Sequence, residues 1–263
     1  IPNWKYIIID EYQDTSITKL TMLKEIKRIT KAKLFVVGDD FQSIYRFTGC
    51  DLKIFLNFKT HFPDSETFHI INTYRNPQEL INVAGSFIMK NKYQQRKVLV
   101  SPKHIVKPII IYYSNNRIDS LKDILNMLKK ENKSILVLGR NNKDINRYID
   151  KNYSIKDNIY TYNKIEFKYL TIHKSKGLES DNVILINIED DITGMPSKLK
   201  DEKILKYVNN TKDYYPYEEE RRLFYVALTR TKNRVYIISS YNKESIFTKE
   251  IKKYKKHVQI IKK

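Results

Sequence analysis

Residues 6–15 read Tyr-Ile-Ile-Ile-Asp-Glu-Tyr-Gln-Asp-Thr, and residues 34–40 read Leu-Phe-Val-Val-Gly-Asp-Asp. Each is a short, continuously apolar, β-branched run ending in acid, the pattern of a parallel strand buried on both faces. Between them Leu20, Leu23 and Ile26 recur at helical spacing over residues 16–29, so strand, helix and strand form a crossover unit. The reading is an α/β fold with a doubly wound sheet. In such sheets ligands gather at the carboxyl ends of the strands, which is where Asp10 and Glu11 stand.

Working outward, residues 50–62 predict a helix and residues 61–65 a linker. Beyond it the pattern predicts strands over 67–71, 108–112, 134–138, 169–172, 183–188 and 234–239, and helices over 77–89, 120–131, 143–151 and 218–229. Residues 190–216 read as a long polar loop with one helical turn near Asp201, and the lysine-rich tail, 249–263, as a solvated helix end.

The 263 residues suffice for one large domain or two modest ones. Hydrophobic residues make up 41% and charged residues 30%, a balance that excludes a disordered chain. No apolar run nears the roughly 20 residues a membrane-spanning helix needs. The single cysteine, Cys50, excludes an internal disulfide framework and fits a reducing compartment, most simply the cytoplasm. Lys and Arg number 49 against 30 Asp and Glu, giving a formal charge of +19. That excess suits a polyanionic partner such as nucleic acid, and it equally suits the Lys-, Asn- and Ile-rich coding of an AT-rich genome. The chain opens on Ile1 without a signal-peptide pattern, and the expectation is a piece of a longer protein.

In phosphoryl transfer an acidic pair divides the labour: one carboxylate holds Mg²⁺ and the other orients or activates water. By itself Asp10-Glu11 reads more readily as a turn or a helix cap. The wider context overturns that. Residues 7–15 resemble motif II, the Walker B element, of the UvrD/Rep family of superfamily 1 DNA helicases. Residues 37–51, Val-Gly-Asp-Asp-Phe-Gln-Ser-Ile-Tyr-Arg-Phe-Thr-Gly-Cys-Asp, resemble motif III. Asn-Thr-Tyr-Arg-Asn-Pro (72–77), Thr-Ile-His-Lys-Ser-Lys-Gly-Leu-Glu (171–179) and Glu-Glu-Arg-Arg-Leu-Phe-Tyr-Val-Ala-Leu-Thr-Arg (219–230) look like motifs IV, V and VI, in family order. The loop holding Gly194-Met195-Pro196 and Asp213-Tyr214-Tyr215-Pro216 is most similar to the helicase IV branch.

The resemblance implies an ATP-dependent helicase or translocase that moves 3′ to 5′ on single-stranded DNA and unwinds duplex junctions. It implies that Asp10 ligates Mg²⁺, Glu11 activates the attacking water and Gln42 senses the γ-phosphate. Arg75 and Arg230 fall where the family needs a planar fork on phosphate oxygens, which lysine would not supply. For Arg230 the bland alternative is a surface arginine that offsets a helix dipole. Tyr74 would stack on adenine and Glu179 contact the ribose, while Gly177 would permit close backbone approach. Tyr45 and Phe47 would offer faces to single-stranded bases, a sequence-neutral grip, and His173 would meet phosphates of the tracking strand. Phe47 stands where relatives commonly carry tryptophan, and Thr48 where many carry arginine.

A P-loop of the form G-x-x-x-x-G-K-[ST] is missing, because no two of the six glycines are suitably spaced. The expectation is therefore the C-terminal part of a first RecA-like lobe over 1–63 and a complete second RecA-like lobe over 64–263, inactive by itself, with ATP between the lobes. Fewer than a hundred residues separate Arg75 from His173, so no full-sized accessory domain is expected between motifs IV and V. The rival reading is a non-catalytic nucleic-acid-binding or regulatory remnant.

Overall fold

The computed structural model describes residues 3–199 and 215–263. The expected turn near Asp201 and the Asp213-Tyr214 part of the loop lie outside the described residues. Chain contacts divide the described residues into two units, 3–70 with 91–96 and 215–222, and 71–90 with 97–199 and 223–263.

In the first unit the two apolar runs become β1 (Tyr6–Ile9) and β2 (Lys33–Val36), paired in parallel with Ile7 opposite Leu34 and Ile9 opposite Val36. The crossover is α1 (Ile17–Thr30), capped by the Ser16 hydroxyl, which accepts from the Lys19 N–H. Ile7, Ile9, Leu34 and Val36 pack with Leu20, Leu23 and Ile54. The expectation of cover on both faces fails: Tyr6, Ile8 and Phe35 remain 65%, 73% and 61% exposed. Alternate side chains of a strand point to opposite faces, and among the described residues only the face toward α1 has a layer over it.

The predicted helix over 50–62 is two short ones, α2 (Leu52–Leu56) and α3 (Phe58–His61), parted at Asn57, whose ψ of 34° leaves the helical range. Residues 67–71 form no ladder. The nearest pairing is an isolated bridge from Asn72 to Val100, and Phe68 and Ile70 are each 82% exposed.

The second unit is built on an eight-stranded sheet. Its strands are β3 (Ile109–Tyr113), β4 (Ile135–Gly139), β5 (Ser154–Lys156), β6 (Ile159–Tyr162), β7 (Ile165–Thr171), β8 (Ser180–Leu185), β9 (Thr231–Ser239) and β10 (Val258–Lys262). Their spatial order is β10-β3-β9-β8-β4-β7-β6-β5. All neighbours run parallel except the β5-β6-β7 meander. β3 and β4 are buried at every position, as their unbroken apolar sequences require.

Helices of this unit are α4 (Gln78–Ile88), α5 (Arg117–Leu128) and α7 (Ile246–Ile251), together with the latter part of α6 (Glu218–Leu228), whose first residues belong to the first unit. Leu121, Ile124, Leu125 and Leu128 of α5 cluster with Val137, Ile184, Tyr236 and Ile238 of the sheet. Phe87 of α4, Phe224 of α6 and Phe247 of α7 meet edge-on or tilted at centroid separations of 5.2–5.4 Å, all fully buried. Each ring buried this way contributes about 1.5–3 kcal/mol.

Two further expectations are corrected, and two hairpins appear that the sequence pattern did not predict. The helix over 143–151 is a single 3-10 turn, Asp144–Arg147, because the Asp144 carboxylate turns aside to accept from Asn141 N and Asn187 Nδ2. The β5-β6 hairpin turns on Asp157-Asn158 and β6-β7 on Asn163-Lys164, pairs with φ of 48–64°, the backbone of primed hairpin turns. The lysine-rich tail ends in β10, where the apolar side chains of Val258, Ile260 and Ile261 lie in register with β3.

Candidate functional site

At the end of β1 the chain makes a sharp turn. Asp10 is exposed, and its Oδ1 accepts from the Glu11 N–H at 2.8 Å. Glu11 sits in the left-handed region, φ 52°, ψ 40°, a conformation that a non-glycine residue holds only where its surroundings impose it. The Asp14 N–H closes the turn on the Glu11 carbonyl at 2.9 Å, and Gln13, fully buried, braces the side chain: its amide donates to Glu11 Oε2 while its Oε1 accepts from the Asp39 N–H at 2.9 Å. Asp39 in turn caps the 3-10 turn Asp40–Gln42, accepting from Phe41 N at 3.1 Å and from Gln42 Nε2 at 2.7 Å. One hydrogen-bonded chain thus joins Glu11 to Gln42.

Gly38 makes that chain possible. A β-carbon there would lie 2.6 Å from Gln13 Oε1 and 2.7 Å from Phe55 Cε2, and Gln13 is held at both ends. Gly38→Ala is expected to destabilise the fold by about 1–3 kcal/mol as an overpacked site, read as a lowered unfolding midpoint, and to loosen Glu11 because Gln13 must move.

Past Gln42, the Tyr45 and Phe47 rings meet at 6.0 Å and 64°, with Phe47 52% exposed. Arg46, between them, donates from its backbone N–H to Glu219 Oε1 and from Nε to Glu219 Oε2, each at 3.0 Å. Burial pushes the Glu219 carboxyl above its ordinary range, opposed by Arg46 and Arg222. No group of three or more His, Cys, Asp or Glu side chains suited to a metal exists among the described residues. Asp10 and Glu11 offer carboxylates at one strand end, a donor set that fits a Mg²⁺ ion carried mainly by water and phosphate oxygens.

In the second unit, residues distant in sequence converge. Arg75 Nε donates to Glu179 Oε2 at 2.6 Å, and Lys232 Nζ lies 2.9 Å from Glu179 Oε1. Hydrogen bonds from Lys232 and then Arg75 hold the Glu179 carboxyl below its usual range. Asn76, buried, donates through Nδ2 to the carbonyls of Thr229 and Thr231 at 3.1 and 2.7 Å. Arg230 is 1% exposed, with Nε directed to Val226 O and Nη1 to Leu178 O. The bland reading of Arg230 as a surface residue is thereby excluded. Gly177 takes φ 82° with open space where a β-carbon would point, and His173 lies on the 3-10 turn His173–Ser175 in the same loop. Tyr74 presents its ring to solvent at 77% exposure.

Asp10, Glu11 and Gln42 therefore fall together in the first unit, and Arg75, Glu179 and Arg230 in the second. The sequence reading passed over Gln13, Glu219 and Lys232. Gln13 had a signal, since it lies inside the quoted acidic stretch; the partners of Glu219 and Lys232 are remote in sequence.

A mostly parallel sheet of this order, with charged groups at strand ends and on the loops that follow, defines a RecA-like α/β fold. Residues 2–63 match the UvrD/REP helicase N-terminal domain and residues 151–243 the UvrD-like helicase C-terminal domain, together more than half of the chain. The chain belongs to the UvrD-like helicase family. It is 32% identical to DNA helicase IV of Escherichia coli (strain K12) over 93% of this chain and 35% of that protein. It is 28% identical to a probable DNA helicase of Mycoplasma pneumoniae over 97% of this chain and 48% of that protein. The chain thus spans between about a third and a half of these relatives. The solved C-terminal domain of a possible DNA helicase from Lactobacillus overlaps 72% of this chain and 98% of its own at 15% identity and a TM-score of 0.45. That overlap adds nothing to the fold read from the strand order. No helix among the described residues is long and apolar enough to cross a membrane.

Proposed function

We propose that the full-length gene product containing this chain is an ATP-driven DNA helicase that translocates 3′ to 5′ along single-stranded DNA in the cytoplasm, with Mg²⁺ as the nucleotide's counter-ion. Residues 1–63 belong to its first RecA-like lobe and 64–263 to its second. The observation that carries this reading is the hydrogen-bonded chain Glu11–Gln13–Asp39–Gln42, which ties a carboxylate at a strand end to the loop bearing Tyr45 and Phe47.

Asp10 would hold Mg²⁺, which when bound neutralises charge on the phosphate oxygens. Glu11, pinned by Gln13, orients the attacking water and accepts its proton. Arg75 and Arg230 supply planar guanidinium groups to the transferring phosphoryl group. Glu179 meets the ribose and Tyr74 the base. Tyr45 and Phe47 stack on successive bases at about 1–3 kcal/mol each, without regard to sequence, and His173 contacts the DNA backbone.

The test is ATP hydrolysis and strand separation by the full-length gene product. Hydrolysis stimulated by oligo-dT, with unwinding of duplexes carrying a 3′ tail and not a 5′ tail, is the expected result. The lack of a G-x-x-x-x-G-K-[ST] loop in these 263 residues favours a second reading for the chain by itself, a nucleic-acid-binding module. Binding of oligo-dT with no hydrolysis by the full-length product would select it.

A further inference from the structure

The loop that carries the aromatic pair is gripped twice by one helix. Glu219 and Arg222 of α6 are three residues apart and so share a face. Glu219 takes both the backbone N–H and the side chain of Arg46, the residue between Tyr45 and Phe47. Arg222 Nε donates to the Ser43 carbonyl at 2.6 Å, and its Nη1 bonds Glu218 Oε1 at 2.9 Å and Gln94 Oε1 at 3.2 Å. Gln94 closes the frame by donating to the buried Asp40 carboxylate at 2.6 Å. The Arg46 and Glu219 side chains are only 22% and 17% exposed, so solvent screens this pair less than an ordinary surface ion pair. Binding the backbone N–H and Nε of one residue fixes both its main chain and its side-chain direction. Arg46 consequently fixes the angle at which its neighbours present their rings.

We propose that Glu219 is a positioning residue for single-stranded DNA binding: it holds Arg46, and through it the Tyr45–Phe47 pair, in the orientation that stacks on bases. This rests on the helicase reading above and adds to it a residue that touches neither DNA nor nucleotide.

The experiment uses the full-length gene product with Glu219→Gln and Arg46→Lys, singly and combined. Fluorescein-labelled oligo-dT is titrated by anisotropy, ATP hydrolysis is measured with and without DNA, and backbone amide exchange is followed at residues 43–48. Each single variant is expected to raise the oligo-dT Kd about tenfold, the scale of losing stacking on one base. The double variant should be no weaker than either single, since both break one link. Hydrolysis without DNA stays near wild type, and exchange at 43–48 accelerates. Unchanged DNA affinity in Glu219→Gln, additive losses in the double, or an equal fall in DNA-free hydrolysis would each overturn the proposal. A wild-type protein that ignores oligo-dT would overturn the helicase reading instead. In that event faster exchange at 43–48 in the variants still supports the hold of Glu219 on the loop, and unchanged exchange removes it.

Discussion

Arg75→Ala in the full-length gene product is expected to lower kcat for ATP hydrolysis by about 10³-fold, the lower range for losing an arginine from a phosphoryl-transfer site. Single-stranded DNA affinity should stay at its wild-type value, because the role proposed for Arg75 is on the phosphoryl group and its side chain bonds Glu179 of its own unit. Its side chain is 32% exposed and already oriented by Glu179 at 2.6 Å, which leaves the Nη groups of the fork for phosphate oxygens. Arg75→Lys keeps the charge and loses that planar fork, so it should restore little of the rate. Steady-state hydrolysis at saturating oligo-dT, with an anisotropy titration beside it, measures both effects. A kcat within twofold of wild type in Arg75→Ala would remove the assigned role.

Much of this was legible in the sequence because it is local. The apolar runs within 6–9, 34–36, 109–113 and 135–139 all form strands, the last two buried throughout as their composition requires, and the crossover helix between the first two starts at a serine cap. What escaped was non-local or depended on turn chemistry. The β5-β6-β7 meander is announced only by Asp157, Asn158 and Asn163, residues that tolerate left-handed backbone. The tail strand β10 exists because β3 offers it an open edge, and among its own lysines the apolar pattern is too short to announce a strand. The exposed face of β1 and β2 contradicts their own composition, since continuous Ile and Val runs call for cover that the described residues do not supply.

The site divides in the same way. The resemblance to the ordered family motifs singled out Asp10, Glu11, Gln42, Arg75, Glu179 and Arg230, yet position along the chain does not say which charges meet. That Arg75 and Lys232 share Glu179, and that Glu219 answers Arg46 across more than 170 residues, follows only from the packing that brings them together. Lysine residues of a chain this basic are individually uninformative in sequence; Lys232 became distinctive once its partner was visible.

Glu11→Gln isolates the chemical step from the architecture around it. Glutamine keeps the size of the side chain and an oxygen that accepts from Gln13, so the hydrogen-bonded chain to Asp39 and Gln42 survives. The left-handed turn at residue 11 keeps its backbone bond, the Asp14 N–H donating to the Glu11 carbonyl at 2.9 Å, which the side-chain change does not touch. What glutamine lacks is a basic oxygen to receive the proton of the attacking water. The expected loss in kcat is therefore about 10²–10⁴-fold, the range for removing a positioned general base, while ATP affinity, oligo-dT affinity and the unfolding midpoint remain those of wild type. Mixing enzyme in excess with radiolabelled ATP separates the outcomes, because a single turnover reads chemistry without product release. A slow single turnover with intact nucleotide binding fits Glu11 as the base. A normal single turnover would move the base elsewhere, and a slow turnover accompanied by weakened ATP binding or a lowered unfolding midpoint would make Glu11 an architectural residue of the turn.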